Sequence, residues 1–208
     1  MYSSPSSYLC YEYVETVDAP FLNIDCHCLF PTHLNPILMD TLDFQPVFIT
    51  KAIVVQSAAN KKRDAVVMIA EIGPKEAGPP LHVHPNQHET YEILEGEAEF
   101  VLGDKKITVK QGEKIDIPPN TPHTFTNTTG NWLKMKDTHL PALSFEEMMR
   151  ELHQLVRSGK ITGFNNPKSL IYLSMLWVKH RELQRSVSPP FFVMKMMNFV
   201  GKLFGYRL

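Results

Sequence analysis

The sequence predicts an antiparallel β-barrel of jelly-roll type, followed by a helical C-terminal extension. Three observations carry this. Short runs of alternating apolar and polar residues, punctuated by turn residues, fill the middle of the chain. Prolines cluster at loops and around one histidine-rich motif, as many short strands with tight connections require. Beyond Pro141 the apolar period changes from that of a strand to that of a helix. A chain of 208 residues, 43% hydrophobic, is long enough for one well-buried domain with extensions.

Residues 1–45 lack a clear period and are read as an N-terminal arm of irregular chain and short strands. Residues 47–56, rich in Val, Ile, Phe and Thr, predict a strand; residues 58–64 a polar turn; residues 65–72 another strand. Tyr91, Glu92, Ile93 and Leu94 run into Glu95-Gly96, a hairpin signal. Ala98, Phe100 and Leu102 then share one face, with Glu97 and Glu99 on the other. Gly103-Asp104 and Gln111-Gly112 mark further turns, and Pro118-Pro119-Asn120 ends the strand carrying Ile115 and Ile117. Residues 121–127 and 132–136 complete the predicted strands of a barrel over 46–140.

In the extension, residues 141–208, Ser144 and Glu147 have the spacing of a capping box. Phe145, Met148, Met149, Leu152, Leu155 and Val156 follow at helical spacing, and Gly159 stands where the helix would stop. Further helices are predicted over residues 167–184 and 191–204, separated by Pro189-Pro190.

Composition excludes some functions. The 21 Lys and Arg nearly cancel 22 Asp and Glu, for a net charge of -1, so no broad positive field for nucleic acid is expected. Cys10, Cys26 and Cys28 are too few for a disulfide framework. Cys26-His27-Cys28 is spaced too tightly for a zinc pair, and reduced cysteines are the better reading. The first residues show neither a positive start nor an apolar run, so a cytoplasmic location is expected.

The chemistry concentrates in four residues. His82 and His84 are two apart, so in a strand both imidazoles enter one cavity. Glu89 follows after the turn at residues 85–88, and His123 arrives from a separate strand. Three imidazoles and one carboxylate suit one divalent transition ion (Fe, Mn, Ni, Co, Cu or Zn) better than Ca or Mg. His88 has no ligand slot and is read as solvated. Tyr91 shares strand parity with Glu89, and Phe125 and Asn127 share parity with His123. These three are the substrate-binding candidates, while Phe100, Leu102, Ile115 and Ile117 are read as barrel lining. His27, His33, His139, His153 and His180 are read as structural or solvated.

Around these residues the stretch 65–137 resembles the cupin superfamily. Its first motif is matched by His82, His84, Glu89 and Gly96, and its second by Gly112, Pro118, Asn120, His123 and Asn127. The resemblance implies a double-stranded β-helix with His82, His84, Glu89 and His123 as metal ligands. Asn120 stands where the family prefers Gly, at a position where Asn tolerates a left-handed turn. Gly78 lies closer to His82 than the pattern asks. A looser similarity to quercetinase-like cupins implies a dioxygenase-like oxidoreductase acting on an enol or other small organic molecule, with Glu89 as ligand and base. The same fold hosts metal-dependent isomerases, epimerases and lyases, and non-catalytic binding proteins.

Residues 191–204 are very apolar but too short and interrupted to span a bilayer. Lys195, Asn198 and Lys202 form one polar stripe. Packing against the barrel or a second subunit is preferred to lying on a membrane surface, and a homodimer is expected.

Overall fold

The computed structural model describes residues 41–45, 47, 50–56 and 64–208. The Cys26-His27-Cys28 motif, Cys10, His33 and most of the predicted arm lie outside these described residues.

The described strands are β1 (Thr41–Asp43), β2 (Thr50–Gln56), β3 (Val66–Ile72), β4 (His82–Val83), β5 (His88–Glu95), β6 (Glu97–Leu102), β7 (Lys105–Lys110), β8 (Lys114–Ile117), β9 (His123–Thr126), β10 (Leu133–Leu140) and β11 (Arg185–Ser186). They form two antiparallel sheets, ordered β1-β2-β3-β10-β5-β8 and β11-β4-β9-β6-β7. From β3 to β11 the chain shuttles between the sheets, which gives a jelly roll. Strand β1 belongs to the larger sheet although the sequence places residues 41–43 in the arm. Strand β11 returns from the helical extension into the smaller sheet, pairing with β4 through Arg185↔Val83 and Ser186↔His82.

Alternation explains how the strands pack. In β10 every second residue from Leu133 to His139 is buried, and in β5 Glu89, Tyr91 and Ile93 point inward. One core cluster fills the barrel with Ile93, Phe100, Phe125, Leu133 and Met135. A second joins Leu42, Val66 and Met68 to Phe145, Leu155, Leu176 and Trp177 of the helical extension. The glycine substitution holds its turn: Asn120 adopts φ +62°, donates its backbone N–H to His84 O at 2.9 Å and its side-chain amide to Pro85 O at 3.3 Å. Gly78 fits beneath an aromatic ring, since a Cβ there would sit 2.8 Å from Phe125.

The extension contains α1 (Phe145–Arg157), α2 (Pro167–Lys179) and α3 (Phe191–Leu203). Helix α1 starts where expected, but Ser144 makes no side-chain cap hydrogen bond, so the predicted capping box does not form. Asn166 caps α2 by accepting the Lys168 N–H at 2.9 Å, with Pro167 in the first turn. The predicted second helix overshoots. It ends at Lys179 because His180 caps it, and Glu151 of α1 pairs with both Lys179 and His180. Residues 185–186 are then free to become a strand.

Candidate metal centre

The two sheets bring the four candidate ligands together. Strands β4 and β9 place His82 opposite His123 in register, and β5 supplies Glu89 from the facing sheet. His84 follows directly on β4. All four are buried, and their donor atoms lie within 4.8 Å of one another. His82 Nε2 is 3.2 Å from His84 Nε2, while Glu89 Oε2 is 3.4 Å from His84 Nε2 and 2.7 Å from His123 Nε2.

The outer ring nitrogens fix the tautomers. Nδ1 of His82 donates to Pro80 O at 2.9 Å, Nδ1 of His84 to Leu183 O at 2.7 Å, and Nδ1 of His123 to Thr121 O at 2.8 Å. A carbonyl only accepts, so each Nδ1 carries a proton; His82 and His84, when neutral, turn a bare Nε2 inward, as does His123 once it gives up its Nε2 proton. Burial, reinforced by the neighbouring imidazoles, drives His82 well below the ordinary histidine range. Burial lowers His84 to about 4 against the pull of Glu89. Two neutral imidazoles therefore face each other lone pair to lone pair, an arrangement a cation between them stabilises. Glu89 Oε2 and His123 Nε2 are likewise buried and face each other, 2.7 Å apart. Donors about 2.1 Å from a common ion and at right to tetrahedral angles lie about 3.0–3.4 Å apart, close to the spacings here. The cluster can hold a divalent ion.

Glu89 is gripped from behind. His139, fully buried on β10 and paired in register with Glu89, sets its Nε2 3.3 Å from Glu89 Oε1 and 3.2 Å from Asp137 Oδ2. Its Nδ1 has no hydrogen-bond partner, unlike the anchored Nδ1 of the three clustered histidines. The proton therefore resides on Nε2, between two carboxylates. The ring stacks on Phe145 at 3.6 Å between centroids, which fixes its plane. Burial opposes charge on Glu89, but His139, His84 and His123 outweigh it and hold the carboxyl below its usual range. Burial also raises Asp137, with Glu89 adding to the rise against the opposing pull of His139. His139 itself is raised, since Asp137 and Glu89 overcome the effect of burial.

A cavity of about 160 Å³ opens beside His82, His84 and Glu89. Tyr91 and Phe125 line it, with rings 5.6 Å apart. Much of the remaining wall is apolar, from Met68, Met135, Phe145 and Leu176 among others. Asp137 and Gln184 add polar atoms, and no Lys or Arg appears among its described lining residues. Burial first, then Glu89 and Asp137, pushes the Tyr91 hydroxyl up.

Asn127 is a correction. Although fully buried, it does not line the cavity: its amide donates to Gly73 O and Asn131 O, both at 2.8 Å, and its Oδ1 accepts from Thr129 N–H and Oγ1. Every side-chain polar atom is spent on the loops after β3 and before β10. His139 is the second correction, since it grips the candidate centre instead of being a merely structural or solvated residue. The available signal was parity: Asp137 and His139 continue the inward row of Leu133 and Met135, where polar residues are out of place. His88 behaves as read, half-exposed and 3.6 Å from Asp116 on the outer surface.

A family profile described as the cupin domain matches residues 68–137. An uncharacterized protein of Methanocaldococcus jannaschii is 40% identical over 67 residues, 32% of this chain and 54% of that protein; the chain thus spans about half the length of this curated relative. Among solved structures, a predicted oxalate decarboxylase from Thermotoga maritima is 22% identical, over 43% of this chain and 78% of that one, with a TM-score of 0.41. An RmlC-like cupin from Shewanella frigidimarina is 15% identical, over 52% of this chain and 89% of that one, with a TM-score of 0.44.

Proposed function

We propose, on the premise that this chain belongs to the cupin superfamily through residues 68–137, that it is a mononuclear metal-dependent enzyme, dioxygenase-like, acting on a small, largely apolar organic molecule. One observation carries the reading: the His82, His84, Glu89 and His123 cluster opens on one side into a small cavity whose described wall holds no cation. Phosphorylated substrates would find no Lys or Arg there. The volume falls below the roughly 300–1,000 Å³ of pockets that take drug-sized ligands. Single-ring or acyclic enols and diols fit this reading better than the flavonols suggested by the quercetinase-like resemblance.

When bound, a redox-active divalent ion supplies Lewis acidity and an electron path between substrate and dioxygen. The protein's own groups do the rest. His82, His84 and His123 present preset lone pairs, each held by a backbone carbonyl. Glu89 contributes Oε2 while His139 holds Oε1. Beside Glu89, expected as ligand and base and held ionised by the imidazoles around it, Asp137 offers a second proton acceptor. Asp137 Oδ1 is buried without a hydrogen-bond partner on a residue that lines the cavity, available to accept a substrate O–H proton. Tyr91 and Phe125 orient an unsaturated substrate by edge and face contact and exclude water.

The Asp137–His139 pair equally suits proton shuffling without oxygen, so isomerase or lyase chemistry is the second reading. Protein purified without chelators and reconstituted separately with Fe, Mn, Co, Ni, Cu and Zn separates the two in an oxygen electrode with small enols and diols. Uptake that needs both metal and substrate is expected. Anaerobic turnover would replace the first reading by the second. Substrate binding with no turnover under any condition would leave a binding protein.

A further inference from the structure

We propose that α3 docks the protein onto an anionic phospholipid surface, with its outward face among the acyl chains. The observation is independent of the metal centre. Helix α3 packs on the protein through Met194 and Gly201, both buried. The contact is close: a Cβ on Gly201 would lie 2.5 Å from Ile171 of α2, so this side of the helix is fixed inward. At about 100° per residue, the opposite side carries Phe192, Met196, Phe199 and Leu203, with Val200 and Phe204 alongside. Phe192, Met196, Phe199, Leu203 and Phe204 are the most exposed large apolar side chains described, from 62% to 77%, and Val200 is exposed beside them. The helix thus turns its apolar stripe away from the protein.

Charge selects the occupant. From Val187 to Leu208 the sequence has three cations, Lys195, Lys202 and Arg207, and no Asp or Glu, in a chain of net charge -1. Lys195 and Lys202 flank the apolar stripe on one side, at the level where headgroups would lie. A groove of about 600 Å³ beside α3 is lined by Lys179, Arg181, Lys202 and Arg207; Lys179 is paired with Glu151 and Arg181 with Glu182, which leaves Lys202 and Arg207 to face an anionic surface. A second copy meeting the same stripe would bring lysines to lysines, with no carboxylate on α3 to offset them. An anionic bilayer offers both an apolar interior and negative headgroups. No helix among the described residues is long and apolar enough to cross a membrane, and the proposed attachment is through the exposed face of α3 alone.

The test is sedimentation of the full chain with vesicles of phosphatidylcholine alone or mixed with phosphatidylserine. Binding to the mixed vesicles is expected, weakening with salt and several-fold lower on phosphatidylcholine alone. The double variant Phe199→Asp/Leu203→Asp should lose binding at least tenfold. Lys195→Gln/Lys202→Gln should weaken it by about fivefold per cation, on mixed vesicles only. None of these positions is a candidate metal ligand or lines the cavity beside the cluster, so metal uptake and an unfolding midpoint equal to the parent's report an intact fold. Absence of binding to mixed vesicles overturns the proposal. So does a dimer in light scattering that Phe199→Asp converts to monomer while vesicle binding stays absent, which would assign the stripe to a second copy. Equal binding to both vesicle types would remove the electrostatic half of the argument and overturn the choice of an anionic surface.

Discussion

Replacing His139 by alanine tests the grip on Glu89. The change removes the Nε2 contacts to Glu89 Oε1 at 3.3 Å and Asp137 Oδ2 at 3.2 Å, and the stacking on Phe145. One Nε2–H serves both carboxylates, bonding Asp137 and lying beside Glu89; removing the shared partner of two buried carboxylates that cannot reach water freely costs about 3–5 kcal/mol. That is a large share of the roughly 5–15 kcal/mol that holds a domain together. The loss should be smaller when the centre is loaded, because a bound cation compensates the charge on Glu89. Urea unfolding of chelated and metal-loaded protein measures both. His139→Gln, which keeps a donor, should recover part of the chelated-state loss. If His139→Ala unfolds within about 0.5 kcal/mol of the parent after chelation, a range usual for surface changes, the grip does not exist.

Other outcomes follow from the same geometry. Alanine at His82, His84 or His123 should each strip most bound metal, while His88→Ala leaves it in place; elemental analysis of purified protein checks this. Metal affinity should fall with acidity. Burial lowers His123, but its hydrogen bond with Glu89 and that carboxylate's charge raise it above the ordinary value. Below that raised pKa an incoming ion must displace the His123 proton, costing up to about tenfold in affinity per pH unit. For stability the sign reverses: the protonated His123–Glu89 pair supports the metal-free protein below the unfolded histidine pKa, and that support is lost as pH rises through the folded value. Titration calorimetry from acid to neutral pH, with unfolding scans beside it, reads both effects. Asn127→Ala should destabilise by about 2–3 kcal/mol through its lost loop hydrogen bonds, lowering Tm by roughly 5–10 °C, with metal content unchanged.

The four candidate ligands were legible because their spacing is local and strand parity converts spacing into direction. The helical extension was legible for the same reason, from the periodicity of Phe145 to Val156. His139 and Asp137 were missed because their significance depends on β10 lying between β3 and β5, a neighbour relation that no local pattern announces. Asn127 was misread by the same rule that worked for His123. Parity turned it inward, but its amide was taken by the carbonyls of Gly73 and Asn131. The helix expected over 167–184 erred at its end, where His180 caps it and Glu151, from a different helix, holds Lys179 and His180.

The pairing of β11 with β4 limits how the protein can be cut or transplanted. A fragment ending at residue 140 would keep most of the barrel but not Leu183, whose carbonyl holds Nδ1 of His84, nor the strand beside His82. His84 could then rotate, and the lone pair it presents would have no fixed direction. The smallest portable unit carrying this centre therefore extends to Ser186. Grafting the site onto another scaffold would have to bring along a strand that arrives after two helices.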